Sequence, residues 1–132
     1  MADRPYNAPH QVITNGDMSQ ASITSQVTIL QQKTLISYSY SWSGTSPVGT
    51  VAVQVSNDYV LSPDGKTVLN AGTWNALYLN YQGSGVLSIP VTGNTGNGFI
   101  DVDATAAYAI RTVYTKTSGT GTLQSFITAK VA

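Results

Sequence analysis

Apolar and polar positions alternate along most of this chain with a period of two. The alternation is clearest in residues 35–42, where Tyr38, Tyr40 and Trp42 fall on one face and serines on the other. Successive side chains of a strand point to opposite faces of a sheet, so this spacing predicts a half-buried antiparallel strand. The same reasoning predicts seven further strands, over residues 23–29, 51–56, 74–79, 86–91, 99–103, 108–115 and 123–131.

Turn-forming residues separate the predicted strands. Residues 43–50 and 92–98 are rich in Gly, Ser, Thr, Asn and Pro, and both are predicted to be loops. Pro47 lies in the first of them, and proline is not expected inside a central strand. Since no stretch has a convincing helical period, the sequence predicts an all-β fold. We expect a single antiparallel β-sandwich, jelly-roll-like and of about eight strands, over residues 19–132.

The first 18 residues carry no such alternation. Pro5, Pro9 and the Asn-Gly-Asp sequence at 15–17 interrupt them. We therefore predict an extended N-terminal arm over residues 1–18, with Pro5, Tyr6, Pro9 and His10 as its candidate contacts to a partner.

The composition narrows the function. Charged residues make up 9% of the chain, glutamate and cysteine are absent, and the formal net charge is zero. A neutral chain without a basic patch is not expected to bind nucleic acid, and its surface offers little charge repulsion against self-association. No apolar run approaches the roughly 18 residues of a membrane helix, so we expect no membrane partner.

Candidate catalytic groups are few. His10 is the only histidine and falls in the predicted arm, and the sequence contains neither a nucleophile elbow nor a phosphate-binding loop. We therefore expect no enzymatic activity and no cofactor.

Two small groups of residues are candidates for binding. Asp101 and Asp103 share one face of a predicted strand and could contribute oxygen ligands to Ca²⁺, or they could form a solvated face with Arg111 as a cross-strand ion partner. Asn57, Asp58 and Tyr59 with Trp74 could bind a glycan, because an aromatic ring stacks on the C–H face of a sugar while polar groups bond its hydroxyls. The alternative for Trp74 is a place in the sandwich core.

Several short motifs carry a resemblance to a known group of proteins. They are Trp42, Gly44, Thr45, Pro47 and Gly49 before the Val-Gln-Val-Ser-Asn-Asp strand at 53–58, and residues 108–123 followed by Lys130. In this order, over residues 20–132, the chain resembles small β-sandwich virion structural proteins of tailed bacteriophages. The Val-Ser-Asn-Asp and Trp-x-x-Leu elements are also similar to discoidin-type galactose-binding sandwiches.

The phage resemblance implies a structural protein of the virion, assembled in the host cytoplasm. A head decoration or cement protein would bind the capsid lattice through its arm and sandwich edges, and a tail-associated position is the alternative within this group. The expected partners are other virion proteins, namely the major capsid protein and copies of this chain in a homo-oligomer. The alternative function is a carbohydrate-binding or host-adhesion module that recognises a host-surface glycan.

Overall fold

The fold is all-β and antiparallel, as predicted. The computed structural model describes residues 9–31, 33, 35–102 and 105–130. The strands in this part of the chain are β1 (His10–Asp17), β2 (Ser22–Thr24), β3 (Thr28–Ile29), β4 (Leu35–Ser56), β5 (Val60–Leu61), β6 (Val68–Asn70), β7 (Asn75–Ala76), β8 (Leu79–Tyr81), β9 (Ser84–Val86), β10 (Ile89–Thr92), β11 (Thr95–Val102) and β12 (Ala109–Lys130). No helix long and apolar enough to cross a membrane occurs among these residues.

The two 22-residue strands β4 and β12 form the centre of the main sheet. They pair with each other along their whole length, from Leu35 with Lys130 to Ser56 with Ala109. In one half of the sheet, β11 pairs with the outer side of β4 and β1 with the outer side of β12. In the other half, β4 is flanked by β10 and β7, and β12 is flanked by β2 and β3. Side chains from both halves meet in one hydrophobic core, so the sheet folds over on itself into a sandwich.

The bend between the halves lies where a loop was predicted. Residues 43–50 continue β4, and the prediction of a loop there is wrong. Pro47 is buried within this strand. A proline is tolerated there because the pairing to β12 shifts at this point: Thr45 pairs with Thr120, and Val48 pairs with Ser118. The interruption leaves no ladder hydrogen bond for Pro47 to break.

The bend also changes which positions face the core. In β4 the buried side chains are at even numbers before it, such as Tyr38, and at odd numbers after it, such as Val53. In β12 the change runs from Tyr114 to Leu123. Because both strands shift parity at the same place, one face of the sheet stays buried through the corner.

Three other predicted boundaries are wrong. Residues 10–17 were assigned to an irregular arm, but they form β1 and pair with β12, with register shifts on either side of Ile13. Residues 95–98 were assigned to a loop, but they begin β11, which pairs with β4 without interruption. The predicted strand at 74–79 is reduced to the two residues of β7 and the start of β8.

Candidate functional site

The predicted arm contacts fall at the start of the described chain. Pro9 and His10 are exposed, and His10 opens β1 opposite Ile127. Pro5 and Tyr6 lie outside the described residues.

The four predicted glycan-binding residues come together at one end of the sandwich. The rings of Tyr59 and Trp74 are 5.7 Å apart between centroids at an interplanar angle of 59°. The guanidinium carbon of Arg111 lies 4.1 Å from the centroid of the Trp74 ring, which is the geometry of a cation–π contact. Arg111 also donates from Nε to Gln54 at 2.9 Å. The glycan hypothesis for these residues stays a prediction, but Tyr59 is buried and the Arg111 guanidinium lies over the Trp74 ring.

The polar members of this group make hydrogen bonds within the protein. Asp58 accepts from the backbone N–H of Thr73 at 2.6 Å and from the Ser56 hydroxyl at 2.8 Å. These bonds, that of Thr73 above all, lower the pKa of the Asp58 carboxyl below its ordinary value. Asn57 accepts from the backbone N–H of Tyr108 at 2.9 Å. The arrangement therefore fastens the loop after β4 to the segments before β7 and β12.

The predicted carboxylate pair is only half described. Asp101 is exposed on β11 opposite Ser37, and Asp103 lies outside the described residues. Within the described ranges, no three or more His, Cys, Asp or Glu side chains form a group able to hold a metal ion. The suggested cross-strand pairing of Arg111 with Asp101 is wrong, because Arg111 lies opposite Gln54 and, among the described strands, β11 pairs with β4 alone. The alternative partner, Asp103, lies outside the described residues.

A cleft of about 440 Å³, which no sequence pattern indicated, opens beside β11. We call it the aromatic cleft. It is lined by Tyr40 and Trp42 of β4, the end of β8 at residues 80–81, Gln82 of the following turn, part of β10 and the β11 edge around Gly98. The alternation correctly placed Tyr40 and Trp42 on one face, and both belong to the core or pack against it. What the alternation could not indicate is that this part of the core lies at an open side of the sandwich.

The aromatic pair in this cleft is held in a defined geometry. The Tyr40 and Trp42 rings are stacked, with centroids 5.9 Å apart and an interplanar angle of 15°. The Trp42 indole donates from Nε1 to the Gly93 carbonyl at 3.0 Å. Gly96 and Gly98 of β11 lie opposite Trp42 and Tyr40, and a Cβ on either glycine would overlap the facing ring. The rings therefore lie directly against the β11 backbone.

The outer face of the same sheet half carries exposed aromatic side chains. Phe99 of β11 and Phe126 of β12 both pair with Ser39 of β4, one on each side of it. Phe99 is 67% exposed and Phe126 36%. Because the serine between them is small, the two rings border a shallow groove along β4.

Comparison with known proteins gives one informative result. No protein-family model matches the chain, and no curated protein matches it. The fold is similar to that in the crystal structure of SPBc2 prophage-derived protein YomS, with a TM-score of 0.59. The match covers 98% of this chain and 97% of that chain at 11% sequence identity. At this identity the likeness shows a shared fold, and it extends over nearly the full length of both chains.

Proposed function

We propose that this chain is a bacteriophage virion structural protein, and within that class a decoration or cement protein of the head. The observation that carries the proposal is the whole-length fold likeness to a prophage-derived protein. The sequence motifs that resemble phage virion sandwiches support it independently.

The molecule offers two regions for such contacts. Residues 1–10 precede and open β1, which is an edge strand beside β12. The groove between Phe99 and Phe126 lies on the outer face of the same sheet half. A formal net charge of zero leaves little electrostatic repulsion between neighbouring copies. Binding to the major capsid protein and to further copies of this chain would use these surfaces.

The first test is the abundance of the chain in density-purified phage particles, measured by quantitative mass spectrometry. A decoration protein is expected at a level comparable to that of the major capsid protein. A level far below it would favour a tail or fibre position, in which recognition of a host glycan is the alternative function. Absence from particles would contradict the virion proposal.

The second test separates the role of the terminal segment from that of the fold. Deleting residues 2–8 leaves the whole of β1 in place and is expected to weaken particle association. Far-UV circular dichroism would check that the shortened domain still folds. Undiminished association of a folded variant would exclude the terminal segment as the attachment point, while leaving the outer groove to be tested by Phe99→Ser.

A further inference from the structure

The aromatic cleft has the size and lining of a site for a small, uncharged ligand. Its volume of about 440 Å³ falls within the range of roughly 300–1,000 Å³ that is common for ligand pockets. None of the residues that line it carries a formal charge. An anion or cation would therefore lose its hydration without gaining a charged partner, which is unfavourable.

The apolar side of the cleft is preorganised. Tyr40 is only 6% exposed and cannot swing away, and the hydrogen bond from Trp42 to the Gly93 carbonyl fixes the indole. Tyr40 and Tyr81 line the cleft together. Burial raises the pKa of the Tyr40 hydroxyl, and the neighbouring Tyr81 adds to the effect. Trp42 and Tyr81 are half-buried, so they keep aromatic surface available to a ligand at little conformational cost.

The polar side of the cleft presents amide groups. Asn80 accepts from the Gly83 backbone N–H at 3.1 Å through its carbonyl, which leaves its NH₂ group available. Gln82 is exposed in the turn between β8 and β9, where its side-chain amide can both donate and accept. The edge of β11 adds backbone groups, because among the described strands β11 pairs with β4 alone.

We propose that the aromatic cleft binds an uncharged carbohydrate. A sugar ring presents both an apolar C–H face, which stacks on an aromatic ring, and hydroxyls, which bond amides and backbone groups. The cleft offers both kinds of contact and no charge. A purely apolar ligand would leave the amides and the β11 edge without partners, at a cost in affinity. This inference goes beyond the virion role and does not depend on it.

The test uses the two tryptophans of the chain, one in the cleft and one outside it. The probes are uncharged oligosaccharides of glucose, galactose and N-acetylglucosamine, immobilised on an array that also carries sialylated and sulfated glycans as charged controls. Glycans that bind are then titrated in solution. Trp74→Phe leaves Trp42 as the sole indole, and the matched variant Trp42→Phe leaves Trp74. The fluorescence of each variant therefore reports on one location.

The expected result is binding with a change in Trp42 emission in the Trp74→Phe protein. Gln82→Ala, at an exposed turn position, should weaken binding by about three- to tenfold through the loss of one or two hydrogen bonds. Trp42→Phe should weaken binding further, and if it does not fold, the other two variants decide the matter.

Three results would overturn the assignment. The first is that the wild-type chain binds no uncharged oligosaccharide, and the second is that it binds only sialylated or sulfated glycans. The third is that folded Trp42→Phe or Gln82→Ala binds with wild-type affinity. A ligand that alters only Trp74 emission would place the site at the Asn57–Tyr59 end instead. The particle measurement is unaffected by any of these results, so the two proposals fail separately.

Discussion

Gly98→Ala is the sharpest test of how β11 packs against the aromatic pair. A Cβ at this position would overlap the Tyr40 ring, and even Cε1 of that ring would lie 2.7 Å from it. Tyr40 belongs to the core, so its ring can move only by disturbing its neighbours. Overpacking of this kind costs about 1–3 kcal/mol of unfolding free energy. Against this, alanine in place of glycine stabilises a strand by roughly 0.5–1 kcal/mol, because the chain loses less conformational entropy when it folds.

Gly85→Ala is the matched control. It makes the same change in β9, where the nearest atom to the new Cβ would be Cδ1 of Tyr78 at 3.8 Å, an ordinary van der Waals contact. The entropy gain is common to both variants, so the difference between them measures the steric cost alone. We expect Gly98→Ala to be about 1–3 kcal/mol less stable than Gly85→Ala in urea unfolding followed by far-UV circular dichroism.

Equal stability of the two variants would refute this account of the contact. A further check is Gly98→Ala on a Tyr40→Val background, where the ring is gone. There the steric cost should disappear, and the alanine should be neutral or slightly stabilising.

Two more predictions concern hydroxyl and carboxyl groups. Among the described residues, the buried Tyr38 hydroxyl has no hydrogen-bond partner, so Tyr38→Phe should keep or raise the unfolding free energy, by up to about 2 kcal/mol. A loss above about 1 kcal/mol in urea unfolding would contradict this. The pKa of Asp58 is lower in the folded chain than its ordinary value of 3.8. Its stabilising effect is therefore present above that value and lost as pH falls through the folded pKa. Between about pH 6 and pH 2, the unfolding free energy should fall less steeply for Asp58→Asn than for the wild type. Parallel plots of unfolding free energy against pH would count against the bonds from Thr73 and Ser56.

Much of the sheet could be predicted because alternation is a local signal. The strands around Tyr38, Val53, Tyr114 and Ile127 lie where the period of two placed them, since their alternate side chains are buried. The bend at residues 43–50 could not be predicted in the same way. Gly, Ser and Pro there are as typical of a loop as of a bulged strand, and only the pairing partners decide between them.

The partners at the bend lie far away in sequence. Asn94 accepts the backbone N–H of Ser46 at 2.8 Å through its side chain, and its carbonyl accepts the N–H of Gly44 at 2.7 Å. On the β12 side of the bend, the two strands approach closely at glycines. A Cβ on Gly119 would meet the backbone of Ser46 and Pro47, and a Cβ on Gly44 would meet the backbone of residues 120–121. These contacts satisfy groups that the interrupted ladder leaves open, and no local pattern announces them.

The aromatic cleft escaped prediction for a related reason. Tyr40 and Trp42 have the spacing of core residues, and they do pack against the core. Whether such residues also reach a ligand depends on which strand forms the edge, and strand order cannot be read from alternation. The glycines at 96 and 98 were a usable signal, because glycine at alternate positions in a strand often allows another group to approach closely.

The continuous pairing of β4 with β12 also has a consequence for how the chain folds. Ser56 pairs with Ala109, and Leu35 pairs with Lys130. Even the β4–β12 partners that are nearest in sequence, Ser56 and Ala109, are therefore separated by a large part of the chain. The entropy of closing such large loops is lost before either half of the core can form, which is typical of slow-folding β proteins with refolding times of about milliseconds to seconds. During synthesis, β4 emerges long before its partner and exposes its alternating aromatic face until β12 follows. The chain is therefore expected to need protection from aggregation until β12 has been synthesised.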